Sequence, residues 1–139
     1  MDIQRPAQDF VKRKIAGLFM LLQNWSGTLE NYAKQNAPWK DRTGHARQGI
    51  HSGVDNYGNR FVLYLSHGMK YGGYLEMGTG IYGPEGRPIK PVNKKALYWP
   101  GAPHPVKSVK GMQAKPIIGP TINAHIDRIK DTVKDFWRN

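Results

Sequence analysis

The chain has 139 residues, no cysteine, and 21 Lys and Arg against 10 Asp and Glu, for a formal net charge of +11. The missing cysteines exclude disulfides and thiolate metal sites. No apolar run approaches the roughly 18 residues of a bilayer span. A mass of 15.7 kDa suits one domain with a single modest core, and a pI near 10.0 favours an acidic partner: nucleic acid, an anionic surface or an acidic protein face. The start, Met1-Asp2-Ile3-Gln4-Arg5, lacks a basic-then-apolar signal segment, so the expectation is a soluble, non-secreted chain.

The first element is a long helix. Val11, Ile15, Leu18, Leu22, Trp25, Leu29 and Tyr32 recur at alternating steps of four and three, a one-face apolar stripe. The stripe serves a local core, and Phe10, Phe19 and Met20 widen it enough for a neighbouring subunit as well. Pro38 disfavours helical geometry at Ala37, so the helix is predicted to fade near Asn36. A turn-rich connector from Pro38 to Gly44 and a short helix or turn through Arg47 come next.

Ile50–Val54 and Arg60–Ser66 read as a β-hairpin around a turn at Asp55-Asn56-Tyr57-Gly58-Asn59, with Phe61, Leu63 and Leu65 on one face. A glycine-rich stretch from Gly68 to Gly86 then holds a predicted helical turn around Tyr71–Met77 and an open loop. Ala96–Trp99 is a candidate strand, Pro100–Pro105 a loop, and Val106–Met112 a further strand or an extended arm. A last helix is predicted from about Pro120 to Phe136. Pro120 suits its first turn, and Ile122, Ile126, Ile129, Val133 and Phe136 form its apolar stripe opposite a mixed-charge face.

The most distinctive stretch runs from Gly86 to Pro120. It holds seven basic residues, seven of the ten prolines and no acid. Proline at this density limits ladder hydrogen bonding and keeps the chain extended or turned. Such a segment is expected to be an arm that meets something acidic or large.

Chemistry-bearing constellations are sparse. His45, His51, His67, His104 and His125 form no pair at the three- or four-residue spacing of a helical metal site. Glu76 is one of only two acids between Asp55 and Asp127. It can act as a general base, accept backbone amides, or pair with an arginine that orients the loop. The structural roles have precedence, since no partner for acid–base work is evident in the sequence. Gly72-Gly73 and Gly78-Thr79-Gly80 do not sit between a strand and a helix as a dinucleotide fingerprint requires. No catalytic, cofactor-binding or metal-binding residue is assigned.

Taken in order, several motifs resemble the tail-completion, or tail-component, family of long-tailed bacteriophages, small basic proteins encoded among head–tail joining genes. They are the N-terminal helix, Trp39 and Arg42-Thr43-Gly44, then Leu65-Ser66-His67-Gly68 through Tyr71-Gly72 to Tyr74-Leu75-Glu76-Met77-Gly78-Thr79. Lys95-Ala96-Leu97, Gly111, Ala114-Lys115-Pro116-Ile117-Ile118 and Pro120 complete the series. The order covers most of residues 10–137. Ile117 stands where the family usually has an aromatic, and the insert from Gly80 to Pro91 is longer than the family pattern.

The resemblance implies an α+β fold over residues 1–139: a long N-terminal and a C-terminal helix on a small, mainly antiparallel sheet, with a loop or arm insert at about 80–116. It also implies a structural, non-enzymatic subunit of the virion neck or tail top, assembled in the host cytoplasm. Such a subunit forms a ring, commonly a hexamer, between the head connector or adaptor and the tail terminator or tail tube. Arg87, Lys90, Lys94, Lys95, Lys107, Lys110 and Lys115 are the expected interface or DNA-facing residues, and Tyr71, Tyr74, Glu76 and Thr79 the loop-shaping ones. No cofactor and no membrane partner is expected. Two rival readings are a free-standing nucleic-acid-binding module that uses segment 86–120, and a small nuclease built on His67 and Glu76.

Overall fold

The computed structural model describes residues 4–39, 45–69, 72–98 and 104–139, with no account of the His45 side chain. In chain order the elements are α1 (Gln4–Asn36), α2 (His45–Gln48), β1 (His51–Asn56), β2 (Phe61–Ser66), α3 (Gly72–Met77), a 3₁₀ turn (Gly80–Tyr82) and α4 (Ile118–Arg138). The fold is α+β: two long helices and a two-stranded antiparallel sheet.

Helix α1 begins well before its apolar stripe. Pro6 falls in its first turn, where a missing N–H costs no helical bond. The helix ends at Asn36, as Pro38 dictates, and its last carbonyls find a donor in α2. The Arg47 guanidinium donates to the carbonyls of Lys34, Ala37 (3.2 Å) and Trp39 (2.9 Å). A single side chain therefore satisfies groups that a helix end leaves orphaned.

The hairpin is paired in the register Ser52↔Leu65 and Val54↔Leu63. Gly58, at φ +85°, makes its turn, and its amide donates to the Asn56 side-chain oxygen at 2.8 Å. The edge of β1 is fastened to α1. Ser52 N donates to Glu30 Oε1 at 3.0 Å, and the Ser52 hydroxyl donates to the Ser26 carbonyl.

Helices α1 and α4 run side by side in opposite directions. Trp25 Nε1 donates to Thr132 Oγ1 at 2.8 Å, Tyr32 meets His125 edge-on at 4.7 Å, and Lys14 Nζ donates to the Phe136 carbonyl at 2.6 Å. The core is small and lies toward one end of this pair. Leu29, Ala33, Ile50, Leu65, Leu75, Ile117 and Ile129 are buried there together with Trp39. The apolar stripe of α1 divides accordingly: Trp25 and Leu29 pack and Tyr32 covers His125 with one edge in solvent, while Phe10, Val11, Ile15 and Met20 stay exposed.

One expectation is corrected. Ala96–Trp99 is no strand within the described residues; Leu97 alone pairs, in an isolated bridge to Val106. Of the two forms expected for Val106–Met112, a strand or an extended arm, the second is found: an extended return joined by that bridge and by Ile89↔Val109. The prolines explain both, since a ladder cannot propagate where donors are missing at Pro88, Pro91 and Pro105.

Candidate functional site

Three features outside the core carry the chemistry. The first is a junction around Glu76 on α3. One carboxylate oxygen, Oε1, accepts from Ile117 N at 2.6 Å, Ile118 N at 2.7 Å and His67 Nε2 at 3.2 Å. Burial by itself would raise the Glu76 pKa, but the two amides and His67 together outweigh it and hold the pKa below the ordinary 4.5. Helix α4 has no side-chain cap of its own at Ile117, so Glu76 supplies one from a different element.

His67 is held in turn by the Trp39 ring at 5.8 Å, and by Gly72, where an added Cβ would lie 2.2 Å from the His67 Cβ. The residues named for the nuclease reading are thus in contact. The oxygen they share already accepts two backbone amides, which makes Oε1 an anchor for α4. Among the described residues no group of three or more His, Asp or Glu could hold a metal ion.

The second feature is the arm. It is seated on α3 by backbone contacts that side-chain reading does not reveal. Thr79 N donates to Met112 O at 2.9 Å, Met112 N donates to Thr79 Oγ1 at 2.8 Å, and Lys115 N donates to Leu75 O at 2.6 Å. Gly80 (φ +62°) and Gly111 (φ +99°) let the two segments touch. A Cβ on Gly80 would lie 2.0 Å from Lys110 O, and one on Gly111 2.2 Å from Thr79 O. The sequence signal for this contact is the pair of glycines in Thr79-Gly80 and Lys110-Gly111, whereas Arg47 as the cap of α1 has no signal in the sequence.

Arg87, Lys90, Lys94, Lys95, Lys107, Lys110 and Lys115 are all exposed, and among the described residues none of their side chains makes an ion pair or hydrogen bond. Arg87 and Lys90 line an open cleft of about 660 Å³ together with Tyr74, Met77 and Glu85. Tyr74 is exposed to solvent, whereas Thr79 bonds to Met112 of the arm and Glu76 to the start of α4. Tyr71 and Trp99 lie outside the described residues.

The third feature is an uncovered apolar surface at the far end of the molecule. Phe10 (54% exposed), Val11 and Ile15 on α1 lie beyond the core, and Trp137 at the end of α4 is 55% exposed. A shallow groove of about 350 Å³ between α1 and the hairpin is lined by Ile15, Phe19 and Phe61. Among the described residues no helix is long and apolar enough to cross a membrane. No family model, curated protein or solved structure matches the chain.

Proposed function

We propose that the protein is a structural subunit of a phage neck or tail top, forming a ring that completes the tail or joins it to the head connector. The observation that carries this reading is the surface the chain leaves uncovered. Its accessible surface is 10463 Å², whereas a compact monomer of this mass exposes about 7,300 Å². The excess of roughly 3,000 Å² exceeds what one standard interface takes from each partner, about 800 Å². A subunit with two lateral neighbours and further contacts above and below uses that much. The apolar residues Phe10, Val11, Ile15 and Trp137 supply anchors for such contacts, and the proline-rich arm supplies reach. The order of motifs, which resembles that of tail-completion proteins, is what favours the virion neck over other assemblies in this proposal.

The test is the mass of the purified chain in solution at low and high salt, with and without duplex DNA. A hexamer-sized species formed without DNA, or a monomer that enters rings when connector or tail proteins are added, whether or not DNA is present, is the expected outcome. Phe10→Asp with Val11→Asp should abolish the ring while leaving the helical circular dichroism intact. A chain that stays monomeric with those partners present would remove the reading.

A further inference from the structure

We infer that the loop 90–96, together with the return segment 106–110, is a docking site for the phosphates of duplex DNA, used without sequence preference. The loop's shape follows from two bridges. Ile89 and Val109 exchange both backbone hydrogen bonds, at 2.8 and 3.0 Å, and Leu97 and Val106 do the same, at 2.7 and 2.9 Å. On the return side only Val106 to Val109 separates the bridges, about 10 Å of extended chain. On the outgoing side the same gap must accommodate Ile89 to Leu97, so residues 90–96 bow outward.

That bow carries Lys90, Lys94 and Lys95, and Lys107 and Lys110 stand on the return beside it. All five are exposed, none is ion-paired or hydrogen-bonded through its side chain among the described residues, and no acid occurs anywhere from Gly86 to Pro120. Elsewhere acids stand among the bases: Asp9 lies one helical turn from Lys12 and Arg13 in the Lys12-Arg13-Lys14 run of α1, α4 alternates Asp127, Asp131 and Asp135 with Arg128, Lys130 and Lys134, and Lys34 of α1 is paired with Glu30 at 3.3 Å. Like charges gathered on one short loop repel one another, and a polyanion relieves the repulsion while releasing its own counterions.

The composition favours nucleic acid over an acidic protein. Protein interfaces are organised around buried aromatic and aliphatic anchors and are depleted in lysine. Here lysines dominate, and the loop's one large aliphatic side chain, Val92, is 92% exposed with nothing packed on it. Phosphate contacts need only accessible cations at intervals along a stiff chain, and Pro88 and Pro91 supply stiffness. This inference stands apart from the ring reading, because a monomer would bind DNA in the same way.

The experiment is a fluorescence-anisotropy titration of a labelled mixed-sequence duplex with the full chain at several salt concentrations. The logarithm of affinity should fall linearly with the logarithm of salt, by about 0.9 for each phosphate neutralised. The variant Lys90→Gln/Lys94→Gln/Lys95→Gln should reduce that slope by up to about 2.7 and weaken low-salt binding by at least about tenfold. A control with equal charge removed elsewhere, Arg13→Gln/Lys130→Gln/Lys134→Gln, should keep the slope, and a duplex of unrelated sequence should bind within a few-fold. The inference is overturned by no binding at low salt, by the control losing as much as the loop variant, or by poly-glutamate of equal charge binding as tightly as DNA. A ring in the mass measurement combined with any of these results leaves the assembly reading standing and removes only the DNA contact.

Discussion

Replacing Glu76 with alanine removes one oxygen that three donors share, and the consequence falls on an element forty residues away. Ile117 N and Ile118 N lose their acceptor at the start of α4, and His67 loses its partner. Ile117 is 3% exposed, so water cannot readily replace the carboxylate there, whereas Ile118 is half-buried. A buried donor left unsatisfied costs about 1–3 kcal/mol, and loss of a negative charge at a helix N-terminus about 0.3–1 kcal/mol more. Together these give a loss of about 3 kcal/mol, or roughly 10 °C in Tm for a chain of this size. Glu76→Gln keeps a carbonyl that can accept both amides and should cost only about 1 kcal/mol.

Urea and thermal unfolding followed by circular dichroism measure both variants. The pH dependence gives a second reading of the same group. Its folded pKa lies below the ordinary 4.5, so its contribution is complete at neutral pH and is lost as pH falls from about 4.5 through the folded value. The stability gap between the parent and Glu76→Gln should therefore shrink on acidification from about pH 6 to about pH 3. A Glu76→Ala chain within about 0.5 kcal/mol of the parent would refute the capping of α4 from α3.

Glycines test the packing at two further places. Gly27 lies in the interior of α1 with open space around it, so Gly27→Ala should stabilise by about 0.5–1 kcal/mol in urea unfolding. At Gly17 an added Cβ falls 2.6 Å from Phe136 Cζ, so Gly17→Ala should show no such gain; equal stabilisation by both would disprove the α1–α4 contact there. Gly111→Ala, at φ +99° against the Thr79 carbonyl, should unseat the arm. Hydrogen exchange should then speed up at the Thr79 and Ile81 amides, which donate to Met112 O and Lys110 O, while amides within α4 keep their protection.

The elements legible from the residues alone are those that depend on local pattern. The apolar steps of four and three in α1 and α4, Pro38 after one helix and Pro120 in the first turn of the other, and the alternation of Phe61, Leu63 and Leu65 were sufficient for the helices and the hairpin. Each of these is a preference of neighbouring residues for one backbone geometry, so each is legible without knowing what packs on it. The acid-free basic segment was legible in the same way, because charge composition needs no fold to be counted.

Which part of the α1 stripe is covered depends on packing between elements. Periodicity gives Val11 and Leu29 the same standing, yet α4 and the hairpin bury Leu29 and leave Val11 exposed. That packing also decides that Glu76 belongs to the start of α4, that Arg47 closes the end of α1, and that Gly80 touches the segment at Gly111. These contacts join residues far apart in the chain through backbone groups that every residue carries. No residue type marks a backbone amide as the one that will need a partner; its position in space does, and that is set only when the elements pack.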